Sequence, residues 1–419
     1  MIKKLIVLAS ILLSLTSWAQ DNTASPYSYF GLGEVKFKGT EEAKAMGGIS
    51  IVADSTQLNL INPAYYSKLR YTTFAIGGTN SFTNFYTNNE SDKSQRTSLD
   101  YLLVAIPKQK FGVIVGLMPF STVGFKLKSS EINSIDQTLR EKKFLGNGNI
   151  NRVLFGTSYK INSKFSVGFD INYNFGKIKT ETVEFVEDPV IQLGSRERNT
   201  SIVKGFSSSF GVTYEGKINN KLTLYSSLTF SPESKLYSEN TRNIATIVYG
   251  SSGNELIDEE QDVDVQNNYI AIPTKLSIGS GIGVKNKWLI ATEITLQQTS
   301  KLENRFKDEL NGDFKNATKI ALGGFFIPKY NSFSSYFSRI TYRAGLRYEN
   351  TGLVLKNESI NDYGMTFGLG LPVGLSKINI GFELGKKGTT TQNLIQENYF
   401  NLNIGLSLSD LWFRKREIN

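Results

Sequence analysis

The chain has 419 residues, a net charge of +9 and 12% aromatic residues, and it contains neither His nor Cys. Without Cys it has no disulfide or thiol chemistry, and without His it lacks the usual general base near neutral pH and the commonest zinc ligand. We therefore expect neither an enzyme nor a cofactor or metal site. We expect the positive charge to contact anionic lipid headgroups or acidic loops of partner proteins rather than nucleic acid.

The N-terminus has the pattern of a secretory signal peptide. Lys3 and Lys4 form a basic start, an apolar run follows from Leu5 to Leu15, and Ser17-Trp18-Ala19 is a small-x-small cleavage site. This pattern predicts a signal peptide over residues 1–19. No later segment approaches about eighteen uncharged apolar residues, so helical membrane spans are not expected.

Residues 20–69 lack the regular pattern of the remaining chain and contain two short motifs, Met46-Gly47-Gly48 and Asn62-Pro63-Ala64. Pro63 fixes its own φ and restrains Asn62 to an extended conformation, so we expect the Asn62 amide to tie this segment to groups around it. Residues 70–409 have the pattern of a wide β-barrel, whose lumen must be filled. We therefore predict that residues 20–69 form an internal plug.

From residue 70 to 409, apolar and polar residues alternate in runs of roughly ten, the length of a tilted membrane strand. In the clearest run, Phe165 to Phe175, every odd position is apolar and every even one is polar or Gly. A strand places the odd residues on one face, whereas a helix would scatter them. We predict an all-β transmembrane antiparallel up-and-down barrel of about 14 strands. The runs begin near Tyr71, Leu99, Phe111, Val153, Phe165, Phe206, Leu222, Leu276, Trp288, Ile320, Ile340, Met365, Ile378 and Phe400.

The connections between these runs alternate in length, which is typical of short periplasmic turns and long outer loops. Short links are predicted at 107–110, 161–163, 215–220, 285–286 and 372–375, and long loops around 121–149, 178–201, 231–268, 300–316 and 387–396. The longest loop contains an acidic run from Asp258 to Asp264, interpreted as solvated or as a divalent-cation site. An even strand count places both termini in the periplasm, including a basic tail over residues 410–419 that is either solvated or docks a partner.

If the apolar parity faces lipid, the opposite parity faces the lumen. Its charged residues form either a polar channel or anionic-headgroup site, or an ion-pair network that holds the plug, because buried charges need partners. These residues are Arg152, Asp170, Glu293, Lys319, Arg339, Arg343, Arg347 and Glu383. Glycines of the same parity either make space for a plug or ligand or relieve strain where the wall bends. They are Gly279, Gly281, Gly283, Gly368, Gly370, Gly381 and Gly385.

Met46-Gly47-Gly48 and the Asn62-Pro63-Ala64 triplet resemble the N-terminal hatch of the long-chain fatty-acid transporter family, also called FadL, OmpP1 or TodX. The resemblance implies a plugged fourteen-stranded barrel in the outer membrane that takes up hydrophobic molecules. Further stretches look like the Bacteroidetes version of the family: Ser25-Pro26-Tyr27-Ser28, Gly116-Leu117-Met118-Pro119-Phe120-Ser121, Thr341-Tyr342-Arg343-Ala344-Gly345-Leu346, 362–372 and 410–416.

In that family a lateral opening in the wall accompanies a kinked third strand. Here the third run ends at Met118-Pro119, and Pro119 cannot donate a hydrogen bond to a ladder. Two interpretations remain open: Pro119 marks a possible wall opening, or it simply ends the strand.

Two functions from different classes follow from the sequence. The first is uptake of hydrophobic or amphipathic molecules, with the ligand and outer-membrane lipids as the partners. The second is a barrel that transports nothing and serves as a subunit of an outer-membrane protein complex, such as a secretion translocon or the β-barrel assembly machinery. A lumen pocket with a wall gap favours the first, and stoichiometric co-purification with other outer-membrane proteins favours the second.

Overall fold

The computed structural model describes residues 23–410 except 37, 53–55, 133–137, 188–192, 250–254 and 307–311. The predicted signal peptide and basic tail therefore lie outside the described residues, apart from Asp410. None of the described helices is long and apolar enough to cross a membrane.

The N-terminal segment contains only short elements. In chain order they are a 3-10 helix at Pro26–Tyr29, strand β1 at Glu34–Val35, an α-helix at Glu41–Lys44 and a 3-10 helix at Pro63–Lys68. Its apolar residues are buried against lumen-facing wall residues: Leu58 and Tyr66 pack with Tyr101, whereas Met46 and Ile49 belong to a second cluster. Burial of this kind is the main favourable term in folding, so the plug and the inner wall form one core.

Eighteen further strands follow the plug. They are β2 Thr72–Tyr86, β3 Ser91–Lys108, β4 Phe111–Ile132, β5 Leu139–Lys160, β6 Phe165–Glu187, β7 Leu193–Lys217, β8 Thr223–Ser231, β9 Ser234–Tyr249, β10 Glu255–Val263, β11 Asn268–Ile272, β12 Lys275–Val284, β13 Trp288–Gln297, β14 Asp313–Phe314, β15 Ala317–Phe326, β16 Thr341–Leu355, β17 Glu358–Val373, β18 Ser376–Lys387 and β19 Gln396–Asp410. A short 3-10 helix also lies at Phe337–Arg339.

Fourteen of these strands form a closed antiparallel barrel, and the predicted fold class is therefore confirmed. The fourteen wall strands follow one another in chain order, and β9, β10, β11 and β14 are not among them, so β8 pairs with β12 and β13 pairs with β15. The seam is the ladder between β19 and β2, which runs from Gln396 opposite Tyr86 to Asp410 opposite Thr72. Closure leaves no free sheet edge along this seam, as a hydrocarbon environment requires.

The period-two pattern separates lipid-facing from lumen-facing side chains. On β6, Phe169, Ile171 and Tyr173 are exposed on the outer surface, whereas the intervening Asp170 and Asn172 are buried. β12 and β13 alternate in the same way. Each predicted run corresponds to one of the fourteen wall strands.

The wall is much taller on one side than on the other. β4 to β7 have 22 to 25 residues each, whereas β12, β13 and β15 have 10. At about 3.3 Å per residue, a 22-residue strand is roughly 70 Å long, about twice what a tilted span of the hydrocarbon core needs. The excess extends from the end opposite the short turns, here called the tall end.

The predicted long loops around 121–149, 178–201 and 231–268 are therefore wrong. These segments are mostly strand, and the acidic residues Asp258 to Asp262 lie on β10, which pairs with β9. Above the bilayer both faces of a sheet contact water or protein, so apolar alternation ends although the ladder continues. Sequence periodicity measures the membrane-embedded part of a strand, not the whole strand.

The opposite end, here called the short-turn end, has the brief connections that the sequence predicted. The residues between strands are 109–110, 161–164, 218–222, 285–287 and 374–375. One connection at this end, residues 327–340 between β15 and β16, is longer. Aromatic pairs close to these turns, Phe111 with Tyr159 and Phe165 with Tyr214, have ring centroids 4.8 and 4.9 Å apart and form part of a girdle typical of a membrane interface.

Candidate functional site: plug, lumen and wall

The plug rests on wall glycines. A Cβ built on Gly168 of β6 would lie 2.4 Å from the carbonyl carbon of Pro63, and one on Gly323 of β15 would lie 2.1 Å from the oxygen of Met46. Other wall glycines in comparably close contact with plug atoms are Gly112, Gly124, Gly156, Gly211, Gly345, Gly368 and Gly405. Glycine suits such positions because a Cβ would collide with plug atoms, which are backbone atoms at Gly112, Gly124, Gly168, Gly323 and Gly345 and side-chain atoms at the others.

Of the seven lumen-parity glycines considered from sequence, Gly279 and Gly368 face the plug, at Ile51 and Ala45. The others leave space for neighbouring wall residues; Gly385, for example, faces the ring of Tyr399. The interpretation that these glycines make space for the plug thus describes Gly279 and Gly368, and relief of strain where the wall bends remains a prediction for the others.

Asn62 fastens the plug to the wall at β7 and β8. Its Oδ1 accepts a hydrogen bond from the Ala64 amide at 2.9 Å, capping the 3-10 helix that begins at Pro63. Its Nδ2 donates to Ser227 Oγ at 2.8 Å and to the carbonyl oxygen of Leu228 at 3.1 Å. The side chain is fully buried, so losing these bonds would leave polar groups without partners.

Met46-Gly47-Gly48 ends the α-helix and turns the chain along the wall. Gly47 and Gly48 have φ of 72° and 76°, a region that side-chain-bearing residues rarely adopt. The Gly48 amide donates to the Ala43 carbonyl at 2.8 Å, and the Gly47 amide donates to Thr366 Oγ1 at 3.0 Å. Met46 is completely buried beneath this turn.

Lys44 forms a second attachment, on β2 and β3. Its Nζ lies 2.6 Å from Asp100 Oδ2 and 3.1 Å from Glu41 Oε1. Burial raises the pKa of Glu41 well above its ordinary value, because desolvation outweighs the attraction of Lys44 and Asp100 adds repulsion. The same two carboxylates raise the pKa of Lys44 although burial opposes this. Lys44 therefore remains a cation, and Glu41 is the member of this group whose charge is least stabilised.

Arg347 is the centre of an ion-pair network on β16 to β19. Its NH2 lies 2.7 Å from Glu383 Oε1 and 3.1 Å from Asp362 Oδ2, and it donates to the Tyr399 hydroxyl at 2.7 Å. All three charged side chains are nearly inaccessible to solvent. Lys38 of the plug lies 3.5 Å from Asp362, so the network also reaches the plug.

Arg343 connects the wall to the plug through a relay. It donates to Asn379 Oδ1 at 3.1 Å, and Asn379 Nδ2 donates to Glu42 Oε1 at 2.9 Å. Arg347 therefore takes part in buried ion pairs, and Arg343 reaches the plug through a neutral amide.

Arg339 does not belong to this row, and its predicted lumen position is wrong. β16 begins only at Thr341, and Arg339 is exposed at the end of the 3-10 helix, with its guanidinium 5.2 Å from the ring of Tyr336. The spacing of Arg339, Arg343 and Arg347 led us to begin the predicted strand too early. A residue in a surface loop can share the parity of lumen-facing residues by chance.

A cavity of about 340 Å³ lies beside the plug within the barrel. Arg152, Asp170, Glu293, Lys275 and Lys319 all contribute to its lining, together with the plug and apolar side chains. The other predicted lumen charges are thus gathered here. Lys275, which the sequence interpretation omitted, also faces this space.

Two of the cavity carboxylates, Asp170 and Glu293, are engaged by the plug. Asp170 accepts from the Tyr66 hydroxyl at 3.0 Å, and Glu293 accepts from the Ser50 amide at 2.8 Å and from the Ser50 hydroxyl. Among the cations, Arg152 Nε donates to Asn174 at 2.9 Å and Lys319 Nζ donates to the Gly48 carbonyl at 3.1 Å.

Lys275 differs from the other cavity cations. It has no hydrogen-bond or ion-pair partner within the described part of the chain. The Lys275 ammonium group therefore has no direct contact partner, although the carboxylates of Glu293 and Glu349 act on its charge from a distance.

The wall splits between β3 and β4. Their ladder begins at Lys108 opposite Phe111 and ends at Leu102 opposite Leu117, although both strands continue toward the tall end. A register shift follows between Pro119 and Ser121 in the pairing of β4 with β5. The predicted opening residue, Pro119, thus lies directly beyond the last paired residues.

The plug takes the place of β3 along this free edge. Glu34 and Val35 of β1 pair with Thr122 and Ser121, and the Lys36 amide donates to the Phe120 carbonyl at 3.1 Å. Farther up, the Gly124 amide donates to Ser28 Oγ at 3.1 Å. A sheet edge in a membrane wall needs such partners.

Glu34 is itself anchored by cations, because Lys387 Nζ lies 3.2 Å and Lys36 Nζ 3.3 Å from its carboxylate. Burial alone would raise the pKa of Glu34, but Lys36 and Lys387 outweigh it and hold the pKa well below its ordinary value. The strand that covers the split is thus fastened by charge as well as by its ladder. No group of three or more acidic residues that could hold a metal ion occurs within the described ranges.

The fold and this site define a plugged transmembrane β-barrel of the outer-membrane type. The whole chain, residues 1–419, matches the model of the family described as BamG. The chain therefore belongs to the BamG family, a different name from the one that the plug motifs suggested. No curated protein matches it.

Two toluene transporters and a FadL homologue are among the solved structures of similar fold. The toluene transporter TodX of Pseudomonas putida is 15% identical, with 91% of this chain and 99% of that chain covered and a TM-score of 0.58. The toluene transporter TbuX of Ralstonia pickettii is 12% identical, with 92% and 99% covered and a TM-score of 0.58. A FadL homologue of Pseudomonas aeruginosa is 11% identical, with 90% and 99% covered and a TM-score of 0.54. The resemblance to FadL-type barrels is thus confirmed at the level of the fold.

Proposed function

We propose that the protein takes up hydrophobic or amphipathic molecules across the outer membrane, with the short-turn end and both termini in the periplasm. The compound enters the cavity beside the plug and leaves sideways through the split between β3 and β4. The observation that carries this proposal is the end of the β3–β4 ladder at Leu102 and Leu117, with a plug strand covering the freed edge. The similar folds of TodX and TbuX, both described as toluene transporters, support it. The Bacteroidetes origin suggested by the sequence stretches remains part of this proposal.

The cavity suits a compound with an apolar body and an anionic end. Its volume of about 340 Å³ lies in the range of small-molecule sites. Phe120, whose ring lies 4.2 Å from the Arg152 guanidinium, and Leu154 offer apolar contact, while Lys275 offers an ammonium group without a hydrogen-bond or ion-pair partner among the described residues. We infer no enzymatic activity, since the chain lacks His and Cys and no convergent catalytic group accompanies the cavity.

A reversible disulfide between the plug strand β1 and β4 tests the proposal. Because the chain contains no native Cys, the introduced pair has no competing thiols. Val35 and Ser121 are register partners, so the double variant V35C/S121C brings two thiols within disulfide distance. Uptake of toluene and of a long-chain fatty acid into cells should be lost when this pair is oxidised and return on reduction. A pair placed on an ordinary ladder, F367C/F382C, should leave uptake unchanged in both states. Uptake that is insensitive to the V35C/S121C disulfide contradicts the lateral route.

The second candidate is a subunit of an outer-membrane protein complex, such as the β-barrel assembly machinery. The BamG family label points in this direction. So does the dense fixation of the plug against wall glycines, which suits a barrel that stays closed. Purification in mild detergent separates the two: a stoichiometric set of outer-membrane proteins supports the subunit role, and bound lipid or detergent in the cavity supports uptake.

A further inference from the structure

The connections at the short-turn end carry charge of one sign, although two carboxylates lie on strand ends close by: Glu215, which pairs with Lys68, and Asp410. The connections 109–110, 161–164, 218–222, 285–287, 327–340 and 374–375, with one residue on either side, contain no Asp or Glu. Their cations, here called the basic ring, are Lys108, Lys110, Lys160, Lys164, Lys217, Lys221, Lys285, Lys287, Lys329 and Arg339. All except the half-buried Lys160 are exposed, and none lies within ion-pair distance of a carboxylate in the described part of the chain.

The tall end is different, because acidic and basic residues are mixed there and many are paired. Lys128 pairs with Glu141 and Arg196 pairs with Glu255, for example. A ring of uncompensated cations produces a positive potential over one end of the barrel, which attracts and orients an acidic partner.

The longest connection of the basic ring presents aromatic side chains to water. In residues 327–340, Phe333 is fully exposed, Phe337 is 73% exposed, and Tyr330 and Tyr336 are about 40% exposed. Leaving a Phe side chain in water forgoes about 1.5–3 kcal/mol of burial. Exposed aromatic side chains are enriched in protein-binding surfaces, where they carry much of the affinity, whereas the surrounding lysines supply the charge that steers a partner.

This aromatic loop is folded. The Lys329 amide donates to the Ser338 carbonyl at 2.8 Å, and the Ile327 amide donates to the Lys287 carbonyl at 2.7 Å, which ties the loop to the neighbouring turn. Within the loop, the Ser335 amide donates to Ser332 Oγ at 3.2 Å. The exposed rings are therefore presented on a fixed frame, so little ordering entropy opposes binding.

The interfacial girdle is already supplied by strand-end residues, among them Phe111, Tyr159, Phe326 and Tyr342. Phe333 lies seven residues beyond Phe326, at the middle of a loop that continues past the strand ends. A membrane anchor needs no such projection, whereas docking of a protein does. This position favours a protein over lipid headgroups as the occupant.

We propose that the basic ring and the aromatic loop at 327–340 form a docking surface for a protein with an acidic face and an apolar pocket for Phe333. The inference rests on the proposed subunit role and names the surface through which that role is exercised. The acidic face recognises the ring of lysines, and the pocket fixes the orientation of the complex through the aromatic loop.

Site-specific photocrosslinking of the full-length chain in its own cells tests this surface. A benzophenone amino acid is placed at Phe333, and at the lipid-facing Phe326 as a control. Position 333 should give a discrete protein adduct and position 326 none, and the captured peptide should carry an excess of Asp and Glu. In K285E/K287E/K329E/R339E the adduct at 333 should fall at least about fivefold, because reversed charges repel an acidic partner. Four reversals at the tall end, K93E/K126E/K128E/K356E, should leave it unchanged.

Three outcomes would overturn the docking surface: equal adducts at 333 and 326, an adduct with the mass of a lipid alone, or an adduct indifferent to the ring charges. Native electrophoresis of the same variants separates this failure from failure of the subunit role. A complex that survives ring reversal retains the subunit role but uses another surface, and a chain that migrates alone in every variant loses both.

Discussion

The plug is held to the wall in two unlike ways. At Asn62, Pro63 and Ala64 it touches β6 to β8 through close backbone contact and hydrogen bonds of a neutral amide. At Glu41, Glu42 and Lys44 it touches β2, β3, β18 and β19 through buried charges. The split between β3 and β4 lies between these two contacts, here called the Asn62 contact and the Lys44 contact. We expect the Asn62 contact, which involves neutral groups, to be insensitive to pH and salt, and the Lys44 contact to respond to protonation.

The largest effect is expected when the charged side of the wall loses Arg347. R347Q leaves Asp362 and Glu383 buried without their cation, and removing one member of a buried ion pair costs about 3–5 kcal/mol. Thermal unfolding of the purified barrel measures this. The triple variant R347Q/D362N/E383Q removes the stranded charges and should recover much of the loss. Equal stability of the single and triple variants would show that the network contributes packing only.

Gly168 tests the Asn62 contact through its close approach. A Cβ in G168A would lie 2.5 Å or less from backbone atoms of Pro63 and Ala64, which cannot rotate away. We expect a loss of about 1–3 kcal/mol, as for overpacked cores. Single-channel recordings should also show a new conductance from a displaced plug. G381A is the matched control, because its Cβ would meet Asn403 at an ordinary 3.4 Å. Equal stability and equal conductance of G168A and G381A would show that close backbone contact at Gly168 does not hold the plug.

Removal of the Asn62 side chain tests the hydrogen bonds of the same contact. N62A deletes the cap on Ala64 and leaves Ser227 and the Leu228 carbonyl without their donor. Lost caps and buried hydrogen bonds suggest a cost of about 1–2 kcal/mol, with no change in pH dependence. Denaturant or thermal unfolding at pH 5 and pH 8 checks both statements, and a pH-dependent loss would contradict the neutral character of this contact.

The smallest expected effect is a pH dependence of the free energy of unfolding that comes from the Lys44 contact. Because the pKa of Glu41 is raised in the folded protein, the folded state holds more protons than the unfolded one above the ordinary Glu value. The stability that this group contributes is complete below that value and is lost as pH rises through the folded pKa. Glu34, with a lowered pKa, acts in the opposite direction and only at lower pH. E41Q should flatten the decline between pH 5 and pH 8, and an unchanged slope would assign it to other groups.

The sequence predicted the architecture well because lipid imposes the alternation directly. The run from Phe165 to Phe175 and thirteen weaker ones correspond to the fourteen wall strands. The period-two alternation is lost where lipid is absent, because the tall extensions of β4 to β7 have water or protein on both faces. Arg339 lies in a loop but happens to have the parity of lumen-facing residues.

The site was only partly predictable, for a different reason. Asn62 and Gly47 could be found from the sequence because Pro63 fixes the backbone next to Asn62, and because Gly residues mark positions where the backbone takes a positive φ. Lys44 with Asp100, and β1 with β4, are pairings between residues far apart in sequence, and no local pattern carries them. The basic ring was visible in principle, since the turns contain Lys but no acidic residue, and a comparison of charge turn by turn would have found it.

The wall split also bears on the order in which the molecule is assembled. The plug is continuous with β2 through Leu69 and forms hydrogen bonds to strands around the circumference of the barrel. Its strand β1 pairs with β4 where β4 is no longer paired with β3. A barrel whose β2–β19 seam closed first would leave this segment outside, with only the two mouths as entrances. We therefore expect plug and wall to come together before the β2–β19 ladder forms.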